Sequence, residues 1–493
     1  MQYLPRQSLV RWTLWLAIVG LGIATAGASD PPALPDTSPG RLMRDLIAAV
    51  NSQSPRNIRR FVATRFDKRS SINDSWPSRC CDPEDVTTTL INLASRSGGL
   101  VLDEVHGSGA EVVAFVKTRT GGTPVYVEVQ ASKGHPEQIT SYQIVPMLHP
   151  TSEVLGLVPP EATMGERVDD ARRALRRSAD KDLFSGTFAI VSHGKILLAT
   201  AYGEADKAIH RRMTLETPFD IASVGKLFTA VAVAQLVAQH VLDYDTPIIR
   251  YLPDYPNREV ASKITLRQLL THTSGLADIY SESKPKRPLR RLEDYYPLFA
   301  DRPLLFEPGK GRAYSNTGFL VASMVVERVS GRDFREYLRT RIFRPAGMTH
   351  TGWLKPADVA VPYTLGNPDD PLAPSRPWVS AESFYAALLG GPAIGAGGEY
   401  STVMDLVAFA DSLQSERILD HRAFLRMVQQ GVGCLCSSQA GRLVFGHGGG
   451  GPGIDTGVQL DLGRDFVLVF LSNYSPPFPQ QLAADLENLL DVE

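Results

Sequence analysis

Neither sign of charge dominates this 493-residue chain, in which 51 lysines and arginines stand against 53 aspartates and glutamates for a net charge of −2. Nucleic-acid-binding domains carry a clear basic excess, so this balance gives no reason to expect such a partner. Two local basic clusters, Arg41 to Arg69 and Lys284 to Arg291, read as a solvated helix face and an exposed loop, the second able to border the mouth of a site. No Gly-x-Ser-x-Gly pentad occurs, which excludes the nucleophile elbow of an α/β-hydrolase. His-Glu-x-x-His is also missing, and His272, His350 and His447 lack ligand-like spacing, so metal-dependent hydrolysis is disfavoured and no cofactor is called for. Long apolar runs are missing too. The one from Leu14 to Ala24 is short for a bilayer span of about 20 residues.

That run follows Arg6 and Arg11 and precedes Ala26-Gly27-Ala28, the pattern of a cleavable secretory signal. Residues 1–28 are therefore expected to be removed on export to the periplasm or the medium, an uncleaved membrane anchor being the alternative. Cysteine is scarce: four residues in two close pairs, Cys80/Cys81 and Cys434/Cys436. Export permits disulfides, and three complete pairings stay open. A bridge between the two pairs would fix the first domain near the loop before His447; a four-thiolate metal site fits the count but is set aside.

What is present is a serine and a lysine one helical turn apart. Ser-x-x-Lys occurs five times, at Ser178/Lys181, Ser192/Lys195, Ser223/Lys226, Ser281/Lys284 and Ser283/Lys286. The first lies in a very charged stretch, the second spans a hairpin turn, and the last two share a Pro/Lys/Arg-rich loop. Only Ser223 leads into a helix, Leu227 to Val237, apolar nearly all round and so expected in a core. Residues i and i+3 share a helix face, which brings the Lys226 amine to the Ser223 hydroxyl. A serine hydroxyl needs a proton acceptor to become a nucleophile. Lysine serves only if its pKa falls from about 10.4 toward neutrality, which burial and a helix N-terminus favour. The plain alternative is a helix-capping serine beside a solvated lysine.

Two further motifs shift that balance. Phe306-Glu-Pro-Gly-Lys-Gly-Arg-Ala-Tyr-Ser-Asn-Thr-Gly318 places Tyr314 and Asn316 on the connection into another apolar helix, Phe319 toward Val329. A tyrosine beside a lysine can shuttle a proton, and an asparagine amide can donate to a substrate carbonyl. A second Tyr-x-Asn, Tyr255/Asn257, sits in a Pro-rich segment read as loop with no helix after it. Near the C-terminus, His447 precedes Gly448, Gly449, Gly450 and Gly451, followed by strand-like runs Thr456 to Leu462 and Phe466 to Ser472. Glycine beside a strand often marks a close approach of backbone or ligand; the alternative is a plain Gly-rich turn. No Gly-Lys-Ser/Thr ends it, so it is not a phosphate loop.

In the order Ser-x-x-Lys, Tyr-Ser-Asn, His-Gly-Gly, the chain resembles the serine β-lactamase and penicillin-binding-protein superfamily, in its class C-like branch of esterases, D-amino-acid peptidases and β-lactamases. Leu-Leu-Thr-His-Thr-Ser-Gly-Leu at 269–276, Tyr-Leu-Pro at 251–253, Pro-Ala-Gly-Met at 345–348 and Gly-Gly-Glu-Tyr-Ser-Thr-Val-Met-Asp-Leu at 397–406 agree. The resemblance implies Ser223 as acylated nucleophile, Lys226 and Tyr314 as proton-transfer partners, and Asn316, His447 and Gly449 around the substrate. It further implies backbone N–H groups of Ser223 and Gly450 as an oxyanion hole, and no metal. β-Lactamases of the branch carry Lys-Thr-Gly where this chain has His447-Gly448-Gly449. Histidine is mostly neutral at pH 7, so a β-lactam carboxylate loses its cation, and ester or amide hydrolysis of a small-molecule or peptide substrate is favoured. A β-lactamase or DD-peptidase proper, and a non-catalytic peptidoglycan-peptide binder, are the alternatives; the binder needs none of Ser223, Lys226 and Tyr314.

The expected fold is an α/β (α+β) β-lactamase/transpeptidase-like one. Early strands Thr187 to Ser192 and Ile196 to Tyr202 join late strands in one antiparallel sheet, flanked by helices and carrying an inserted helical region, over residues 160–493. After a Pro-rich linker at 29–40, residues 41–150 are expected to form a small α+β domain. Its helix from Arg41 to Ala63 and strands near 99–105, 111–117, 124–130 and 138–146 resemble the NTF2-like cone.

Overall fold

The computed structural model describes residues 33–66, 83–106, 111–120, 124–131, 135–146, 162–279, 289–365, 378–382, 395–433, 438–439, 442–475 and 478–490. The apolar run at 14–24, all four cysteines and the two Ser-x-x-Lys copies at 281–286 lie outside the described residues. Two compact units divide the chain, the described residues 33–146 falling in the first and 162–490 in the second.

In the first unit, α1 (Ser38–Asn51), α2 (Pro55–Arg65) and α3 (Pro83–Ser97) precede four antiparallel strands in the order β1-β2-β3-β4: β1 (Leu100–His106), β2 (Glu111–Thr118), β3 (Pro124–Ala131) and β4 (Ile139–Pro146). The strands fall where alternation placed them. The single helix expected from Arg41 to Ala63 is two. Asn51-Ser-Gln-Ser-Pro55 breaks it: Gln53 takes a left-handed φ of 52°, Ser54 caps the next helix through the Asn57 N–H, and Pro55 has no N–H to continue the first. Helix α3 was not foreseen. Its buried Val86, Leu90, Leu93 and Ala94 have helical spacing, but the β-branched run Thr87–Thr89 masks it.

The second unit is built on a six-stranded antiparallel sheet. Helix α4 (Met164–Asp180) opens with a capping box between Thr163 and Glu166 and leads into β5 (Gly186–Ser192) and β6 (Lys195–Tyr202). After β7 (Phe219–Asp220) comes α5 (Lys226–Ala238), then α6 (Asn316–Ser330), β8 (Tyr400–Ser401), α7 (Val403–Gln414) and α8 (His421–Gln429). The chain ends in β9 (Ser438–Gln439), β10 (Arg442–Gly451), β11 (Ile454–Asp461), β12 (Phe466–Ser472) and α9 (Phe478–Leu490). The sheet order is β9-β10-β11-β12-β5-β6, so the two ends of the unit pair, Val467 opposite Val191 and Val469 opposite Ala189.

Strand β12 shows how both faces are covered. Phe466, Leu468 and Phe470 pack with α4 and α9, while Val467, Val469 and Leu471 join the larger core that holds α5, α6 and α7. A strand buried on both faces reads as a continuous apolar run rather than as alternation, which is the sequence Phe-Val-Leu-Val-Phe-Leu. Residues 226–236 of α5 are all buried, in line with its lack of a polar face. Tyr255-Pro-Asn257 is not loop alone: Asn257 accepts the Val260 N–H and caps a short helix, Arg258–Lys263.

Candidate active site

The nucleophile turn is a 3-10 turn, Ala222–Gly225, running directly into α5. Ala222 sits at φ 45°, a left-handed conformation that costs an alanine about 1–2 kcal/mol. Its N–H is held by the Asp220 carboxylate at 2.8 Å. Ser223 and Lys226 thus lie at the first turn of a helix sheathed in core, and Lys226 is itself fully buried.

Three oxygens surround the Lys226 amine: Ser223 Oγ at 3.0 Å, Asn316 Oδ1 at 2.8 Å and the Ala396 carbonyl at 2.8 Å. The last two can only accept. A neutral amine has two N–H bonds, which those acceptors take, leaving its lone pair for the Ser223 hydroxyl. Burial pushes Lys226 down to about 7, against the opposing pull of Asp278 and Glu399. The Tyr314 hydroxyl donates to Ser223 Oγ at 2.9 Å, and its ring centroid lies 4.9 Å from the Lys226 nitrogen. This trio can move a proton off the serine, as a nucleophile and its base must.

Asn316 is turned inward. Its Nδ2 and its backbone N–H donate to Asp278 Oδ2 at 3.0 Å and 2.7 Å. Because a carboxylate only accepts, the amide orientation is settled, with Oδ1 toward Lys226. The amide expected to meet a substrate carbonyl is engaged by Asp278 in this structure. Tyr314 is braced by His272, whose ring stacks on it at 4.5 Å and whose Nδ1 accepts the Ser315 N–H at 3.1 Å. Burial and the neighbouring Lys226 hold His272 well below its usual value, so it is neutral and cannot repel the lysine.

His447, Gly449 and Gly450 lie on β10, where the described residues of β9 reach only to Arg442 and Leu443. Gly449 has no room for a side chain: a Cβ there would lie 2.3 Å from the Ile221 carbonyl and 3.1 Å from the Ser223 nitrogen. The Thr456 hydroxyl ties the two segments together, reaching the Ile221 and Gly449 carbonyls at 3.1 Å and 3.2 Å. His447 is 5% exposed, its ring 6.2 Å from that of Tyr314. Burial pushes it down to about 3; its Nδ1 meets the Gly448 carbonyl at 2.5 Å, and its Nε2 has no hydrogen-bond partner among the described residues.

The other described serine–lysine pairs form nothing comparable. Ser178 donates to its own helix at Ala174, and Ser192 and Lys195 face each other across the β5–β6 hairpin. No group of three or more His, Cys, Asp or Glu side chains able to hold a metal occurs among the described residues.

A match to the Beta-lactamase family runs over residues 171–491, well over half of the chain. The chain belongs to the Beta-lactamase family. Within it, Penicillin-binding protein 4* of Bacillus subtilis is 29% identical over 318 residues, 60% of this chain and 69% of that protein. Esterase EstB of Burkholderia gladioli is 36% identical over 203 residues, 37% of this chain and 51% of that protein. The D-aminopeptidase of Cereibacter sphaeroides is 28% identical over 284 residues, 54% and 52% of the two chains. The chain therefore spans about half the length of these last two relatives. Among solved structures, a penicillin binding protein from Bacillus halodurans superposes with a TM-score of 0.55 at 27% identity, over 67% of this chain and 99% of that one. The D-amino acid amidase of Ochrobactrum anthropi SV3, at 24% identity and a TM-score of 0.55 over 67% and 97% of the two chains, has the same fold.

Several members of this family site escaped the sequence reading. Asp278, His272, Ala396 and Glu399 bear on Lys226 from 279 and earlier or from 395 and later, and nothing in their spacing ties them to it. Two of them lie in stretches matched only as strings, Thr271-His-Thr-Ser-Gly-Leu276 and Gly397-Gly-Glu-Tyr-Ser-Thr402. The available signal was chemical: an aspartate directly after Leu276-Ala277, and a glutamate in an otherwise uncharged Gly-rich run.

Proposed function

We propose that the chain is an exported serine hydrolase that cleaves ester or amide bonds through an acyl-enzyme on Ser223. The observation that carries this reading is the Lys226 amine, buried and near neutrality, with two of its three neighbours unable to donate. Ser223 Oγ adds to the substrate carbonyl carbon as its proton passes to Lys226. The carbonyl oxygen gathers charge opposite the Ser223 and Gly450 N–H groups, the kind of preorganised donors worth about a hundredfold or more in rate. Tyr314 hands a proton to the leaving oxygen or nitrogen and is resupplied from Lys226. Water then attacks the ester on Ser223 by the reverse relay, releasing the acid and restoring the hydroxyl.

An esterase, a D-aminopeptidase and an amidase among the relatives support ester or amide bonds. The neutral His447 speaks against a β-lactam carboxylate as the preferred partner, since no cation stands at that position. Export rests on the charge and apolar pattern of residues 1–28. Hydrolysis of a short-chain p-nitrophenyl ester and of D-amino-acid amides, by the chain and by its Ser223→Ala variant, tests the reading. Turnover by the chain alone supports it, and equal turnover by both overturns it.

A further inference from the structure

Behind the nucleophile turn lies a carboxyl group that the acyl-transfer steps do not use. Glu399 is wholly buried. Its Oε1 accepts the Trp353 indole N–H at 3.3 Å, and its Oε2 has no partner among the described residues. That free oxygen points at Gly225, in the middle of the Ser-Val-Gly-Lys turn: a Cβ on Gly225 would lie 2.1 Å from it. Gly225 has an ordinary helical φ of −55°, so its lack of a side chain answers to the carboxyl group and not to backbone strain.

The segment that carries Glu399 wraps the same turn. Thr229 donates to the Gly395 carbonyl at 2.6 Å, Lys226 to the Ala396 carbonyl at 2.8 Å, and the Ile221 N–H to the Glu399 carbonyl at 3.0 Å. Tyr400 and Ser401 then pair with Asp220 and Phe219. The charged or titratable groups facing Glu399 are Lys226 at the start of α5 and Asp220 on β7. Beyond the lysine stand Asp278 and the neutral rings of His272 and His447. Burial holds Glu399 up to about 7, reinforced by Asp220, so its charge changes in the range where Lys226 changes its own.

We propose that Glu399 is a positioning residue for acylation, its carboxyl group wedged between Trp353 and Gly225 so that its negative charge, when present, holds the proton on Lys226 and its neutral form releases it. The inference rests on the Ser223 acyl-enzyme reading. In a low-dielectric site an ionised carboxylate behind the turn that carries Lys226 favours the ammonium form. Removing the charge therefore makes Lys226 a base at lower pH.

The test is the pH profile of kcat/KM for a p-nitrophenyl ester with the full chain, Glu399→Gln, Trp353→Phe and Ser223→Ala. Glu399→Gln is expected to move the acidic limb down by roughly half a pH unit or more, about threefold more activity on that limb relative to its own plateau. Trp353→Phe removes a donor that favours the ionised carboxylate, so it moves the limb the same way by less, and it carries the test if Glu399→Gln does not fold. An unmoved limb in a folded Glu399→Gln variant, even with lowered kcat, makes the residue merely structural and overturns the inference. Persistent turnover in Ser223→Ala, or none in the full chain, overturns the acyl-enzyme reading; an inactive Ser223→Ala with an unmoved Glu399→Gln limb sinks the Glu399 inference alone.

Discussion

In the acyl-enzyme reading Lys226 is the residue on which the chemistry turns, because burial brings its amine down to about 7 against the pull of Asp278 and Glu399. Replacing it with methionine removes the proton acceptor and is expected to lower kcat by about a thousandfold or more, while Tyr314→Phe costs about a hundredfold; steady-state kinetics with a p-nitrophenyl ester reads both. Because Lys226 must be neutral to act and is held near 7, kcat/KM should rise as the pH climbs through about 7 and fall away below it. The same shift opposes folding: between about 7 and the usual value of 10.5 the unfolded chain holds the proton and the folded chain does not. Stability contributed by this group therefore increases with pH across that window, which denaturant titrations of the full chain beside Lys226→Met would register. Ser223, Lys226 and Tyr314 were legible because each is marked by a short spacing next to an apolar helix. Asp278 and His272 were not, since their partners Asn316 and Ser315 lie 38 and 43 residues away, and only tertiary packing joins them.

At the scale of elements, the site is a turn clasped from two sides, by β10 through Gly449 and by the 395–401 segment through Glu399. Gly225→Ala should destabilise the chain by about 1–3 kcal/mol, the usual cost of overpacking. In a Glu399→Ala background most of that cost should vanish, because the obstructing atoms are gone. A double-mutant cycle by denaturant unfolding measures the coupling, and equal costs in both backgrounds would show that the carboxyl group is not what confines Gly225. The four strands of the first unit were readable from alternation, and β5, β6, β11 and β12 of the second from their strand-like runs; the Gly-rich β10 and the two-residue strands β7, β8 and β9 offered no such pattern. The break between α1 and α2 was readable in principle from Ser54-Pro55, but helical periodicity on both sides hid it. The segment 395–401 has almost no periodicity to read, so its role as a clasp emerges only from the hydrogen bonds its backbone accepts.

For the whole molecule, the division into two compact units, each with hydrophobic packing of its own, has a consequence for catalysis. The described residues around Ser223 and Lys226 belong to the second unit, whose strand β12 is buried on both faces. Val469→Asp places a charge in that strand with no partner and should abolish folding of the unit and all activity, an effect well above the ordinary 0.5–3 kcal/mol range. Leu46→Asp in the core of the first unit should lower the temperature of one calorimetric transition while leaving kcat of the folded enzyme within about twofold. The paired-end sheet and its helical insertion were legible from the order of strands, early and late, around a helical middle; the NTF2-like reading of the first unit rests on pattern alone. The measurement that bears most directly on the central claim is intact-mass analysis of the chain quenched during turnover of a slow ester, beside Ser223→Ala. A mass increase equal to the acyl group, located on the peptide containing Ser223 and missing in the variant, is the predicted result. Turnover with no acylated species in either protein, or acylation that survives in Ser223→Ala, would contradict the account.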